Sequence, residues 1–381
     1  MEQEFYPQYR GTYIQVDLSA IAHNTRLLKR ETADGQHMLA VVKANAYGHG
    51  IVKVARIVLE NGADHLGVAI PEEGETLRQA GVKAPILVLG GVNERGAAAS
   101  VQNDLIQTVF DPERVYMLEK AAAAQGKAAR VHLKIDSGMG RIGVRSRDEV
   151  LAILQAIENC PHVELTGAFT HFADADGESE SYTLMQMARF EKLVALLPQG
   201  IIIHAAASAA AARFANARYD MVRQGISLYG CKAGSSVLDV RPALSWHTEI
   251  VYVKTIPAGE SVSYGCTFTA QQETRIATLP VGYGDGYSRS LSGKAEVLIA
   301  GKRCPVLGRV CMDQIMVDVT ALDAEDAAIG APAVLLGAQG DECITADEMA
   351  DWAGTISYEM LMAATARVPV QYRGMNENKE N

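Results

Sequence analysis

Residues 38–50 read Met38-Leu39-Ala40-Val41-Val42-Lys43-Ala44-Asn45-Ala46-Tyr47-Gly48-His49-Gly50, and this stretch is the most informative part of the chain. Apolar, β-forming residues run up to one lysine, and small residues, a tyrosine and a Gly-His-Gly turn follow it. The pattern predicts a buried strand with an amine at its C-terminal end, where (β/α)8 barrels place their reactive groups. Burial lowers the pKa of such an amine, so Lys43 is a candidate Schiff-base nucleophile. The alternative is a lysine that ends a strand and extends to solvent.

Composition limits the classes of function. The chain has 381 residues, enough for two domains, and its net charge of −10 argues against sequence-independent binding to nucleic acid. No apolar segment is as long as a membrane span, and the acidic N-terminus lacks the pattern of a signal peptide. The cysteines are scattered without metal-binding spacing. We therefore expect a cytoplasmic protein with no nucleic-acid partner, no membrane partner and no metal site.

Short apolar runs alternate with amphipathic stretches between about residues 18 and 230. The predicted strands are Met38–Val42, His65–Ala69, Ile86–Leu89, Ile106–Phe110, Val131–Asp136, Leu165–His171, Ile201–His204 and Met221–Tyr229. The predicted helices include Leu18–Lys29, Glu72–Ala80, Pro112–Ala124, Glu149–Ile157 and Thr183–Leu197. This alternation favours an α/β fold with a (β/α)8 TIM-type barrel, and a doubly wound open sheet is the alternative.

The pattern changes near Leu244. Residues 248–256 alternate as in a half-exposed strand, and turn signals recur about every ten residues after it. A helix is predicted near Ala346–Ala353. We expect the barrel over residues 17–244 and a mostly β domain over 245–381, with an N-terminal strand at 12–16 joining the β domain.

Polar residues gather at the predicted C-terminal ends of the barrel strands. They are Lys43, Tyr47, Lys134, Asp136, Arg141, Thr170, His171, His204, Ser208, Arg223, Gly225 and Tyr229. A lysine amine among cations and hydroxyls suits an anionic ligand that carries a carbonyl, such as a phosphate-bearing aldehyde. The backbone at Gly225-Ile226 lies where barrels commonly bind phosphate through main-chain N–H groups.

Taken singly, these residues have ordinary structural interpretations. His171 could be a hydrogen-bonded structural histidine, and Tyr264 could serve packing or a turn. Ser208 could be the N-cap of the alanine-rich run that follows it. The glycine-rich stretch at residues 282–286 follows no βα pattern, so a turn is predicted there rather than a phosphate loop.

Several separate motifs together resemble the alanine racemase family, fold-type III enzymes that use pyridoxal 5′-phosphate (PLP). The resemblance extends from about Tyr13 to Tyr372. It rests on residues 40–50, Lys134–Gly143, Thr170–Ala173, Ser263-Tyr264-Gly265, Gly308–Gln314 and Thr355–Glu359. It implies an isomerase that interconverts L- and D-alanine, supplies D-alanine for peptidoglycan precursors of the cell wall, and works as a homodimer with a shared active site.

The resemblance also implies roles for individual residues. Lys43 would bind PLP and act as one proton-transfer base, and Tyr264 from the partner subunit would be the other. The remaining roles are Arg223 at the pyridine nitrogen; His171 beside Arg223 and Tyr264; Tyr47, Ser208, Gly225, Ile226 and Tyr358 around the phosphate; Arg141 at the cofactor's phenolic oxygen or the substrate carboxylate; Met312 of the partner subunit at the substrate carboxylate through its backbone N–H, with Asp313 nearby; and Lys134, carbamylated in some relatives, orienting Arg141.

One position departs from the family pattern, and three alternative functions have to be weighed. Many relatives carry Asn where this chain has Ala207. A racemase for serine or for several amino acids is therefore an alternative. A fold-type III decarboxylase is disfavoured because such enzymes place a carboxylate, not Arg223, at the pyridine nitrogen. A non-catalytic PLP-binding barrel is disfavoured because such proteins lack a β domain.

Overall fold

The structure is a computed structural model that describes residues 9–234 and 238–374. The chain divides into two compact units. One, the barrel unit, consists of Ile21–Ala46 and Gly50–Arg241. The other, the β unit, consists of Met1–Ala20, Tyr47–His49 and Pro242–Asn381, as far as these residues are described. The domain boundaries inferred from the sequence stay a prediction.

In the described part of the barrel unit, eight parallel strands form one sheet in the order of the chain. They are His37–Val41, His65–Val68, Ile86–Val88, Ile106–Val109, Ala129–Lys134, Val163–Phe169, Ile202–His204 and Met221–Gln224. The last strand pairs with the first, and a bridge between Ala207 and Arg223 spans the remaining gap. The predicted (β/α)8 barrel is confirmed.

Helices alternate with the strands, and four of the strands are buried at every residue. The helices are Leu18–Arg30, Ile51–Glu60, Pro71–Gln79, Glu94–Gln102, Pro112–Gln125, Arg147–Glu158, Ser181–Val194 and Ser208–Arg213. Four begin at side chains that accept from the first-turn backbone: Asp17, Asn93, Asp111 and Ser146.

One local prediction and one alternative interpretation in the barrel unit were wrong. The strand predicted over Met221–Tyr229 ends at Gln224, and a 3-10 turn occupies Ile226–Tyr229. The apolar run extends further than the strand because these turn residues are also buried. Ser208 is not an N-cap, because Ala207 holds that position and the Ser208 hydroxyl accepts from the Gly225 N–H instead.

The β unit is mostly antiparallel. Its strands are Tyr13–Asp17, Leu244–Glu249, Tyr252–Ile256, Ser261–Val262, Phe268–Thr269, Thr274–Leu279, Glu296–Ile299, Lys302–Leu307, Ile315–Asp318, Pro332–Gln339, Glu342–Ile344 and Val370–Arg373. Among the described residues after Pro242, the α-helices are Ala346–Ala353, which matches the prediction, and Ser357–Leu361. The mostly β character of this unit is confirmed.

Strand Tyr13–Asp17 lies inside the large β sheet. It pairs antiparallel with Leu244–Glu249 and parallel with Val370–Arg373. The single strand predicted over residues 248–256 is two strands, because the chain changes partners at Ile250, which is buried and bonded to Ala331. Within the described ranges, no helix combines the length and apolarity needed to cross a membrane.

Candidate active site

Lys43 follows strand His37–Val41 and begins a left-handed turn. Ala44, Asn45 and Ala46 have φ of 53°, 54° and 53°. Such a backbone costs residues with a Cβ about 1–2 kcal/mol each, so other contacts must stabilise it. The Asn45 side chain accepts from the Ile51 N–H at 2.9 Å, and the Asn45 carbonyl accepts from the Gly50 N–H at 3.0 Å. The sequence analysis did not predict this turn, because glycine, the usual signal, is absent from these positions.

The surroundings of Lys43 disfavour the protonated form of its amine. Burial lowers its pKa and the charge of Arg141 lowers it further, whereas the carboxylate of Glu73 raises it. Arg223 adds a smaller lowering. A lysine in such surroundings holds its proton weakly and can act as a nucleophile or a base.

Arg223 is the buried cation of the barrel interior, with 3% of its surface exposed. Its Nη2 donates to the carbonyls of Thr170 at 2.9 Å and Ala205 at 2.7 Å. Burial lowers its pKa to about 9, and Arg141 contributes, so the guanidinium remains protonated at neutral pH.

Two histidines accept hydrogen bonds from Arg223, and this determines their tautomers. Nδ1 of His171 lies 3.3 Å from Arg223 Nη2, and Nδ1 of His204 lies 3.0 Å from Nη1. Because arginine only donates, the His204 ring must carry its proton on Nε2, and the longer contact to His171 favours the same tautomer there. The His204 Nε2–H then donates to His132 Nδ1 at 2.9 Å. Burial, with the charge of Arg223, lowers the pKa of His171 to about 2. His171 is therefore a neutral donor through Nε2.

Lys134 and Arg141 come from the strand Ala129–Lys134 and the loop after it. Lys134 is 2% exposed, and its Nζ has no hydrogen-bond partner among the described residues. Burial, Arg223 and Arg141 lower its pKa well below the ordinary value. The Asp136 carboxylate accepts from the N–H groups of Gly138 and Gly140, both at 3.0 Å, and so shapes the loop that carries Arg141.

Ser208, Gly225 and Ile226 form a second group at the same end of the barrel. The Gly225 N–H donates to the Ser208 hydroxyl at 2.9 Å. Helix Ser208–Arg213 begins without a side-chain cap, because Ala207 offers no acceptor. Uncapped N–H groups at a helix start suit an anion. Ala207 also bridges to Arg223, so the missing amide of the family's Asn would belong to this group.

Three predicted residues lie together in the β unit. Tyr264, Met312 and Asp313 line a cavity of about 430 Å³, together with Ser263, Cys311 and Gln314. Tyr264 is 69% exposed and Met312 is 53% exposed. Arg367 holds Asp313 through a 2.8 Å ion pair.

The structure also places Tyr47 beside Tyr358, with ring centroids 5.8 Å apart. Both belong to the β unit. Burial raises the pKa of Tyr47 above its ordinary value, and Tyr358 contributes. Tyr47 therefore remains a neutral hydroxyl.

Sequence reasoning missed two residues that contact this machinery. His132 is buried and bonds to His204, and its position two residues before Lys134 could have shown that both side chains share one face of the strand. The Glu73 carboxylate accepts from the Ala44 N–H, and its negative charge raises the pKa of the Lys43 amine. Nothing in the sequence distinguishes Glu73 from the acidic residues beside it.

A lysine-bearing (β/α)8 barrel followed by a mostly β unit defines a class of two-domain barrel enzymes, and comparisons with known proteins identify the family. The model for "Alanine racemase, N-terminal domain" matches residues 16–233, and that for "Alanine racemase, C-terminal domain" matches 243–372. An alanine racemase of Symbiobacterium thermophilum is 47% identical over 96% of this chain and 98% of its own length.

Solved structures of racemases are also similar to this chain over nearly its full length. The crystal structure of alanine racemase from Bacillus anthracis with bound L-Ala-P has a TM-score of 0.90 and 40% identity, covering 98% of this chain and 97% of that one. A histidine racemase from Leuconostoc mesenteroides has a TM-score of 0.88 and 29% identity, covering 97% of this chain and 100% of that one. The chain belongs to the alanine racemase family.

Proposed function

We propose that this protein is a PLP-dependent racemase that interconverts L- and D-alanine by a two-base mechanism. The observation that carries the proposal is the pairing of Lys43, whose pKa is lowered, with the buried Arg223, which is positively charged at neutral pH. The names of the relatives support alanine as the substrate.

The residues of the barrel unit fit the chemistry of PLP. Lys43 offers an amine for the cofactor's aldehyde, and Arg223 offers N–H groups to a ring nitrogen. Ser208, Gly225 and Ile226 would hold the phosphate at the uncapped start of helix Ser208–Arg213, and by resemblance Tyr47 and Tyr358 would also contact it. When bound, PLP withdraws electrons from the substrate and so makes the Cα–H bond acidic.

Racemisation needs one proton removed from one face of Cα and one returned on the other. Lys43 Nζ serves one face, and the Tyr264 hydroxyl serves the other. The Nε2–H of neutral His171 is suited to donate to a tyrosinate oxygen, and would stabilise Tyr264 in the form that accepts a proton.

Arg223 determines which reaction follows. A guanidinium donates to the pyridine nitrogen without transferring its proton, because its pKa, although lowered to about 9, is far above that of pyridinium. An unprotonated pyridine nitrogen would make bound PLP a weaker electron acceptor, which would favour rapid return of a proton to the substrate Cα. This selects racemisation over transamination and disfavours the decarboxylase alternative.

We assign substrate binding to Arg141 of one subunit and to Met312 and Asp313 of its partner. Arg141, Met312 and Asp313 would bind the substrate carboxylate, with the Met312 N–H as a neutral donor. We further propose that Lys134 is carbamylated: its uncharged amine adds CO2 and releases a proton, and the new carboxylate pairs with Arg141. The unpartnered Nζ of Lys134 supports this, because it would gain a partner.

The proposed enzyme is a homodimer with a shared active site. Tyr264 and Met312 are exposed although one is the proposed base and the other is apolar, which fits surfaces that face a second copy of the chain. The presence of a β unit with this cavity disfavours the non-catalytic PLP-carrier alternative. We place the enzyme in the cytoplasm, supplying D-alanine for the cell wall; the free cysteines of the described residues support a reducing compartment.

Solvent-deuterium exchange tests the proposal directly. The purified protein with PLP is incubated in D2O with L-alanine or D-alanine, and deuterium at Cα is followed by NMR. We expect exchange from both enantiomers with racemisation, and loss of both in Lys43→Ala. Tyr264→Phe should slow exchange from L-alanine far more than from D-alanine, and equal losses would contradict the two-base assignment.

A second candidate is a racemase for serine or for several amino acids. Ala207 favours it, because a smaller apolar residue replaces the family's Asn beside Arg223 and changes the pocket's polarity. The histidine racemase neighbour shows that the fold admits other substrates. The same exchange assay with L-serine and L-histidine discriminates: faster exchange with either than with alanine would favour this candidate.

A further inference from the structure

Glu73 connects two neighbouring strand ends of the barrel. It lies in the first turn of helix Pro71–Gln79, which follows strand His65–Val68. One carboxylate oxygen accepts from the Ala44 N–H at 2.5 Å, and the other accepts from the Ala69 N–H at 2.8 Å. The residue after Lys43 is thereby tied to the end of the adjacent strand.

This contact falls where the backbone is strained. The left-handed turn begins at Ala44, directly after Lys43, and Ala44 and Asn45 are exposed to solvent. Packing therefore contributes little at the start of the turn. The downstream bonds of Asn45 hold the end of the turn but not its first residue. The bond from Glu73 acts on that first residue, and a charged acceptor makes it a strong one.

Glu73 also differs in charge from the other groups around the Lys43 amine. Arg141 comes from the loop after strand Ala129–Lys134, and Arg223 comes from the last strand; both are cations that lower the pKa of Lys43. His171, on the loop after strand Val163–Phe169, also interacts with Lys43 and is neutral. Glu73 is the anion among them, and it opposes the cations.

We propose that Glu73 is a positioning residue: it holds the left-handed turn closed, so that the Lys43 side chain keeps one direction, and it supplies the negative charge that faces the Lys43 amine. This rests on the proposed function of Lys43. The two hydrogen bonds that Glu73 accepts, from Ala44 and Ala69, are called the clamp here, and they form in the chain without cofactor. In this role Glu73 acts through Ala44 and Lys43.

The full-length protein, freed of cofactor, is labelled with trace acetic anhydride between pH 6 and pH 10. Peptide mass spectrometry measures acetylation of Lys43 against exposed Lys83. In Glu73→Gln we expect the midpoint of Lys43 labelling to fall by about one pH unit, because an opposing charge is removed. Glu72→Gln, which removes the same charge from an exposed residue of the same helical turn, is the matched control and should not shift it.

Hydrogen exchange tests the clamp separately from the charge. Glu73→Asp keeps the charge but is one methylene shorter, so exchange at the Ala44 and Ala69 amides should accelerate at least tenfold while the labelling midpoint stays near that of the wild type. If Glu73→Gln does not fold, this variant decides. Unchanged exchange in Glu73→Asp, or the same midpoint in Glu73→Gln and Glu72→Gln, would overturn the proposal.

These readouts need neither PLP nor alanine, so they separate failure of the clamp from failure of the racemase. With PLP bound, Glu73→Gln should lower kcat for alanine about tenfold with little change in KM, because the substrate-binding groups are untouched. A rise in KM alone would contradict the assignment of Glu73 to Lys43. A racemase-negative wild type with a measurable clamp would refute only the proposed function.

Discussion

Replacing Lys134 by methionine should stabilise the cofactor-free protein. Its side chain is 2% exposed, its Nζ has no hydrogen-bond partner among the described residues, and it lies 4.6 Å from the centroid of the Phe169 ring. Methionine has a similar length and no polar amine, so it would fill the same space without the desolvation penalty.

The size of the effect depends on pH. Burial, Arg223 and Arg141 lower the pKa of Lys134 well below the ordinary value, and Asp136 opposes them. Between that lowered pKa and the unfolded value of about 10.4, the unfolded chain binds a proton that the folded chain does not. Lys134 therefore destabilises the fold in this window, and the destabilisation shrinks by about 1.4 kcal/mol per pH unit as the pH rises. From pH 7.5 to 9.0, the advantage of Lys134→Met should fall, by at most about 2 kcal/mol, a limit reached when the folded amine is neutral throughout this range.

Urea unfolding measures this difference in stability. The protein concentration is held fixed, because the stability of an oligomer depends on concentration. Far-UV circular dichroism follows unfolding in CO2-free buffer at pH 7.5 and 9.0, with Lys83→Met as an exposed control. Added bicarbonate should stabilise the wild type and not Lys134→Met, if Lys134 is carbamylated. The same difference in stability between wild type and Lys134→Met at both pH values would refute the reasoning, because it would mean that Lys134 is protonated in the fold.

Three further predictions concern the two units. Gly286 has a φ of 102°, and a Cβ there would overlap the Ala363 carbonyl, so Gly286→Ala should lower the stability of the β unit on the order of 3 kcal/mol, measured by thermal unfolding. Gly293→Ala, with a φ of 65° and open space around it, should cost only about 1 kcal/mol, and equal losses would contradict the overlap. Arg223→Glu should increase transamination of alanine to pyruvate relative to racemisation, measured by coupled reduction of pyruvate, and an unchanged ratio would contradict the assigned role of Arg223. Ser208→Ala should weaken PLP binding several-fold in a fluorescence titration, and an unchanged affinity would argue against the phosphate site.

Much of the barrel could be predicted because most of its strand residues are buried and many of the strands contain short apolar runs. Strand ends were less certain, as at Gln224, where the chain leaves the strand while the sequence stays apolar. The break between two strands at Ile250 could not be seen in the sequence, because a change of strand partner leaves the alternation of apolar and polar residues intact.

Site residues could be predicted from the sequence where the residue type itself indicates a chemical role. Lys43, His171 and Arg223 gather in the barrel unit, and Tyr264, Met312 and Asp313 gather in the β unit. The left-handed turn at Ala44 was not predictable, because its conformation is imposed by contacts from Glu73 and Asn45 rather than by a glycine. The roles of these residues stay predictions until they are tested.

Complementation between two inactive variants tests the central claim, a racemase whose two bases come from different chains. Lys43→Ala and Tyr264→Ala proteins are mixed in equal amounts under conditions that exchange subunits, and alanine racemisation is measured with PLP present. With random exchange, half of the dimers are mixed and each holds one complete site, so about a quarter of wild-type activity should return. Activity that stays at the level of the separate variants, despite exchange shown by native mass spectrometry, would contradict the shared site.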